Sequence, residues 1–169
     1  MPGSWLHLSS RFFESLTARD LEQSEIELLS GVLSPPEFDL FMQQPSLDRR
    51  HGFEAARHAM SAGGSDAVVR AAALHDVAKR HARLRIPGRV IASVCIKMGI
   101  PVSGRFQTYR DHGPIGAAEL AEAGSPPLAV AYARSHHGGR PGDVSVENWE
   151  LLNAADGASE RSQSVRFDR

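Results

Sequence analysis

From Ala67 to Leu74 the chain reads AVVRAAAL, apolar on nearly every side of a helical wheel, and His75 and Asp76 follow directly. A helix without a polar face has to be surrounded by others, so this stretch predicts a central, buried helix. Two ionisable groups at its end then pose a physical problem. Burying a charge is costly unless it is paired or bound to a metal. Either the pair reaches solvent or the fold compensates it.

The rest of the sequence supplies the surrounding helices. Helical stripes separated by Gly, Pro and Ser punctuation cover residues 16–33, 34–44, 45–64, 65–80, 87–99, 109–124, 125–137 and 145–161. Ser34 stands as an N-cap with two prolines after it and Glu37 at the capping-box position. Gly63 and Gly64 close the third stripe, and Pro114 sets a helix start just before it. No alternating strand pattern of any length occurs. The expectation is one all-α domain, a bundle of about seven or eight helices, with residues 1–45 as a helical extension packed on it, 46–161 as the domain proper and 162–169 as a loose tail.

Composition narrows the function classes. With 169 residues and a net charge of -1, nothing advertises nucleic acid or an anionic membrane as a partner. Cys95 is the single cysteine, which excludes a disulfide framework and fits a reducing compartment; it reads as a small core residue. No leader pattern or membrane-length apolar run is visible, so a soluble, cytoplasmic protein is expected. Lys79 and Lys97 are the only lysines; every other basic residue is arginine.

Of the eight histidines, His51, His75, His112 and His136 fall on separate predicted helices or at their ends. Asp76 adjoins one of them, and Asp156 lies in an apolar context, LLNAADGA. These groups can meet only through tertiary folding. No short zinc signature is present, and a mixed set of imidazoles and carboxylates suits manganese, iron, magnesium or zinc at a hydrolytic centre. Taken singly, each such histidine has a bland rival as a hydrogen-bonded core residue. His58 reads as structural or surface, His7 and His81 as solvated, and Tyr132 and Trp149 as core rather than base-stacking platforms.

LHDVAK at residues 74–79 resembles the signature of the HD-domain metal-dependent phosphohydrolases, usually Leu-His-Asp-Ile-Gly-Lys. RRHGFEAARHA, HGPIGAAEL, ARSHHGGRPG and LLNAADGASER are similar to the family's further ligand segments, in order, across roughly residues 47 to 161. The resemblance implies a helical domain with a central metal site. His51, His75, Asp76 and Asp156 would be its basic ligand set, and His112 and His136 the additional ligands of subfamilies that hold two divalent ions. It implies hydrolysis of a phosphomonoester or phosphoanhydride, most plausibly of a nucleotide, by a metal-activated water, with Asp76 able to bridge the ions. Within one continuous helix, Lys79 would share the face of the pair and contact phosphate. His137 would act as proton donor or as support for a ligand. Arg140, in a glycine-rich loop, would grip phosphate bidentately.

The back half is similar to bacterial symmetrical diadenosine tetraphosphate hydrolases, the front half to uncharacterised actinobacterial HD proteins. The paired histidines match cyclic-di-GMP phosphodiesterases, but their Gly-Tyr-Pro motif is missing. Ala78 stands where the family has glycine, which would tighten the space near the metals. The alternative to an enzyme is an HD domain that binds metal and nucleotide as a regulatory or scaffolding module with little turnover.

Overall fold

A computed structural model describes residues 19–164. Among them are nine α-helices and no strand: α1 Gln23–Ser30, α2 Pro35–Met42, α3 Ser46–Ser61, α4 Asp66–Leu74, α5 Ile86–Lys97, α6 Gly104–Arg110, α7 His112–Glu122, α8 Pro127–Ser135 and α9 Val146–Ser164, with a 3-10 helix over Val77–Ala82. The all-α class read from the sequence is the one observed. None of these helices is long and apolar enough to cross a membrane. His7 lies outside the described residues.

The central position goes to α4, as its all-round apolar surface demands. It packs against α3, α8 and α9, and buries Val68, Val69, Ala71, Ala72, Ala73 and Leu74. α1 and α2 place Leu29 and Phe41 in the same core cluster. Alanine supplies much of this core, and it lets helix axes approach closely.

The polar helix α3 also runs through the middle, because its buried charges are paired. Arg50 binds Glu25 of α1 at 2.7 Å, and the Asp48 carboxylate receives Arg89 of α5 at 2.7 Å. Glu37 accepts from the Ser34 backbone N–H at 2.9 Å, so the capping box forms as read. The same carboxylate is fully buried and takes Arg70 at 2.7 Å, which fastens α2 to α4.

Four expectations change. The helix read over 65–80 is α-helical only to Leu74. Asp76 sits at φ -103°, ψ 6°, and the chain then winds tighter through Val77–Ala82. With about three residues per turn, side chains three apart eclipse. Lys79 is thereby laid directly over Asp76, rather than on an α-helical face. α6 was not expected, since it is short, starts at a glycine with φ +57° and buries no residue. Cys95 is half-buried rather than core, because α5 buries only Ala92. α9 continues to Ser164, past residue 161, where the helical pattern was read to end.

Candidate metal centre

Three of the candidate ligand histidines sit where helices end, and that placement does two jobs. The last carbonyls of an α-helix have no intrahelical partner. His75 follows α4 and its Nδ1–H donates to Ala72 O at 2.9 Å. His112 follows α6 and donates to Tyr109 O at 2.6 Å. His136 follows α8 and donates to Ala133 O at 2.9 Å. Each ring thus caps a helix and is fixed in the tautomer that leaves Nε2 with a free lone pair. His51 lies within α3 and reaches the same state differently. Ser159 Oγ donates to His51 O at 2.9 Å, so it accepts from His51 Nδ1–H, also at 2.9 Å.

All four Nε2 atoms converge on two carboxylates. His51 Nε2 lies 3.1 Å from Asp156 Oδ1 and 3.6 Å from Asp76 Oδ2. His75 Nε2 lies 3.4 Å from each of those oxygens. On the other side of Asp76, Oδ1 is 3.1 Å from His112 Nε2 and 3.3 Å from His136 Nε2. The structure therefore gathers all six predicted metal ligands around Asp76.

Two groups emerge that could hold a metal ion: His51, His75 and Asp76, and Asp76, His112, His136 and His137. Within each, the donor atoms lie within 4.8 Å of one another. Asp76 belongs to both, one oxygen to each, and Asp156 adjoins the first.

The donor chemistry fits a cation. Nε2 atoms face each other at 3.3 Å in both the His51–His75 and His112–His136 pairs. When the rings are neutral, neither atom of such a pair carries a proton, so each pair presents two lone pairs to one point; in the metal-free state the proton that His75 takes up sits on its Nε2. Two donors each about 2.1 Å from one ion stand about 3.4 Å apart at a tetrahedral angle, which is the spacing seen here.

Electrostatics point the same way. Burial opposes a charge on His75, but Asp76 and Asp156 outweigh it and raise its pKa well above the ordinary value. Burial likewise opposes ionisation of Asp76 and Asp156. Lys79 and His75 at the first, and His75 and His51 at the second, nonetheless hold both carboxyls far below the usual range. Without metal, the two carboxylates draw a proton onto His75, and a cation would fill the same need for positive charge.

Lys79 Nζ sits directly on Asp76 Oδ2. Burial disfavours its charge, yet Asp76 prevails and its pKa is raised. His137 is at the rim. Its ring lies tilted 4.0 Å from that of His136 and edge-on 5.0 Å from that of His112, between centroids. Burial of the ring, then His136, Lys79 and His112, push its pKa down to about 3 although the residue as a whole is exposed. A neutral ring suits His137 as a donor atom of the second group.

Arg140 is not at the site. Its Nη1 donates to the carbonyls of Val144 and, at 3.3 Å, Pro141, so it closes its own loop. Here Arg140 serves as a loop cap, outside the residues gathered at Asp76. Ala78 turns its methyl toward Gly116, where an added Cβ would lie 3.4 Å away, and so packs against α7 rather than crowding the ligands. His81 is bound to Glu119 at 2.6 Å and is not simply solvated. Tyr132 is fully buried and packs against Trp149, as core.

A cavity of about 560 Å³ opens over the ligands, lined also by Lys79, Ser93, Ile96, Lys97, Tyr109 and Arg110. The last five were not foreseen, nor was Ser159. Ser159 stands three residues after Asp156, on the same face of α9, and that spacing is its only signal in the sequence.

Comparison with protein-family models, with curated proteins and with solved structures yields no match.

Two expected outcomes arise here. Ser159→Ala removes the group that orients His51, so metal affinity should fall about 10- to 100-fold. A metal titration monitored by calorimetry checks this, and unchanged affinity would show that Ser159 serves packing alone. The second concerns pH. His136 is lowered, by burial first, and His137 is lowered as well, so both bind protons in the unfolded chain that the fold refuses; stability is lost as pH falls below 6.5. His75 is raised, so its contribution is full below 6.5 and is lost as pH climbs toward its folded value, by up to about 1.4 kcal/mol per pH unit. Metal-free protein should therefore be most resistant to urea near pH 6.5. Manganese should move that optimum upward, because ligation needs His75 deprotonated. A profile with chelator that only rises or only falls between about pH 5.5 and 8.5 contradicts the assignment.

Proposed function

We propose that this chain is a metal-dependent phosphohydrolase of the HD-domain type, acting on a phosphorylated small molecule, most plausibly a nucleotide, with two divalent cations. The observation that carries this reading is the convergence of four Nε2 atoms on two carboxylates, buried Asp76 and half-buried Asp156, of which Asp76 faces both groups. The ordered likeness of residues 47–161 to the HD ligand segments supports it. A regulatory module would have no chemical need for so complete a ligand set beneath an open cavity.

His51, His75, Asp76 and Asp156 would hold one ion, and Asp76, His112, His136 and His137 the other. Bound there, divalent cations supply Lewis acidity and a water of lowered pKa. The chain's own groups do the rest. Helix-end carbonyls and Ser159 hold the imidazoles in place, so little reorganisation is needed when charge develops. Lys79 carries a permanent positive charge beside Asp76 and can donate to a phosphate oxygen entering over that carboxylate.

The test is phosphate release from a panel of nucleoside mono-, di- and triphosphates and dinucleoside polyphosphates, using protein purified without chelator and supplied with manganese, iron, magnesium or zinc. Metal-dependent release that chelator abolishes is expected. Tight metal binding with no turnover on any of them would favour the regulatory reading.

A further inference from the structure

The cavity has a second cationic wall that the ligand floor does not use. Lys97 is the last residue of α5 and Arg110 the last of α6, and both line the chamber that opens over Asp76. The chain has two lysines, and both line this one cavity. Arg110 is paired with Asp111 at 2.7 Å, and Lys97 makes no ion pair among the described residues. α5 and α6 together bury only Ala92, so they contribute little to the core and act mainly as a wall.

The charge balance of the chamber asks for an anion. Asp76 and Asp156 are matched at the floor by Lys79 and the imidazoles, or by metal. Lys97 then has no counter-charge among the described residues, and Arg110 shares one carboxylate in an exposed pair. A cation at a helix end has a bland explanation in the helix dipole, but the dipole does not require two such ends to face one cavity.

We propose that Lys97 and Arg110 form a subsite for a second phosphate, which makes the preferred substrate a phosphoanhydride chain rather than an isolated monoester. The proposal rests on the phosphohydrolase reading for which end is cleaved. A chain of linked phosphates repeats its charge at short intervals, so one phosphate over Asp76 leaves others for the wall. A monoester of a neutral alcohol offers the wall nothing. The polyphosphate grip is thereby assigned to α5 and α6 and not to the Arg140 loop.

The experiment is calorimetric titration of metal-free protein with inorganic tripolyphosphate and, separately, orthophosphate. Wild type should bind tripolyphosphate at least about tenfold more tightly than orthophosphate. Lys97→Ala and Arg110→Ala should each weaken tripolyphosphate about five- to tenfold and leave orthophosphate unchanged. Arg105→Ala removes the same charge from exposed α6 surface outside the cavity and should change neither. Equal losses in Arg105→Ala, or full tripolyphosphate affinity in Lys97→Ala, overturn the subsite. This readout needs no turnover, so a failed phosphohydrolase reading appears separately, as selective tripolyphosphate binding by a protein that hydrolyses no phosphate ester or anhydride.

Discussion

Asp76→Asn is expected to strip metal from both halves of the centre and to lower the proposed hydrolysis on the order of a thousandfold or more. The side chain keeps its shape, so the loss would be one of charge and donor strength. Asp76 alone is common to the two ligand groups, with Oδ2 toward His51 and His75 and Oδ1 toward His112 and His136. Its removal also strands Lys79, whose side chain is only 11% exposed and rests on this carboxylate. Breaking one partner of a buried pair typically costs about 3–5 kcal/mol, so the metal-free variant should unfold at distinctly lower urea. Elemental analysis, phosphate release and urea denaturation read the three effects. Wild-type turnover in Asp76→Asn would mean that the carboxylate is structural.

Gly52→Ala is the second large effect, and it reaches the site through the backbone. A Cβ at Gly52 would lie 2.5 Å from Ala73 O and 3.1 Å from a Phe41 ring carbon. α3 would have to move off α4, and His51 and His75 flank that contact in sequence. Overpacking of this kind costs about 1–3 kcal/mol, and the separation of the two imidazoles should weaken metal binding as well. Gly113→Ala repeats the situation at the other half, with Ala133 O at 2.8 Å between His112 and His136. Gly139→Ala meets open space and should leave stability and metal affinity alone. Denaturation midpoints and metal titrations of the three variants check this; unaltered metal affinity in both Gly52→Ala and Gly113→Ala would show that the close approaches are not what brings the ligands together.

His75, Asp76 and Asp156 stood out in the sequence by their chemistry against an apolar background, whereas the full set of candidate ligands came from the resemblance to the HD segments. His75 and Asp76 at the end of a fully apolar stretch required compensation, and Asp156 did so again in LLNAADGA. The geometry that makes them a site was less visible. Apolar positions continue through Val77, Ala78 and Ala82, so periodicity alone ran the helix past the point where it tightens. The glycine after His51 and the one after His112 carry no signal in the sequence, yet each is where two helix backbones nearly touch. Ser159 carries only a spacing signal, since its partner is more than a hundred residues away. Arg140 had the right residue type in a glycine-rich loop, but loops carry orphan carbonyls of their own, and those claimed it. The cationic wall of Lys97 and Arg110 depended on where two helices end, and α6 had no apolar stripe to announce it.

The central claim is that the imidazoles and carboxylates gathered at Asp76 form a two-ion centre. The most direct test is the metal content of protein purified without chelator and equilibrated with manganese, measured per chain for wild type, His51→Ala, His112→Ala and Asp76→Asn. The expected result is two ions in wild type, one in each histidine variant and none in Asp76→Asn. Wild-type protein that retains no metal, or an Asp76→Asn variant that retains as much as wild type, would contradict it.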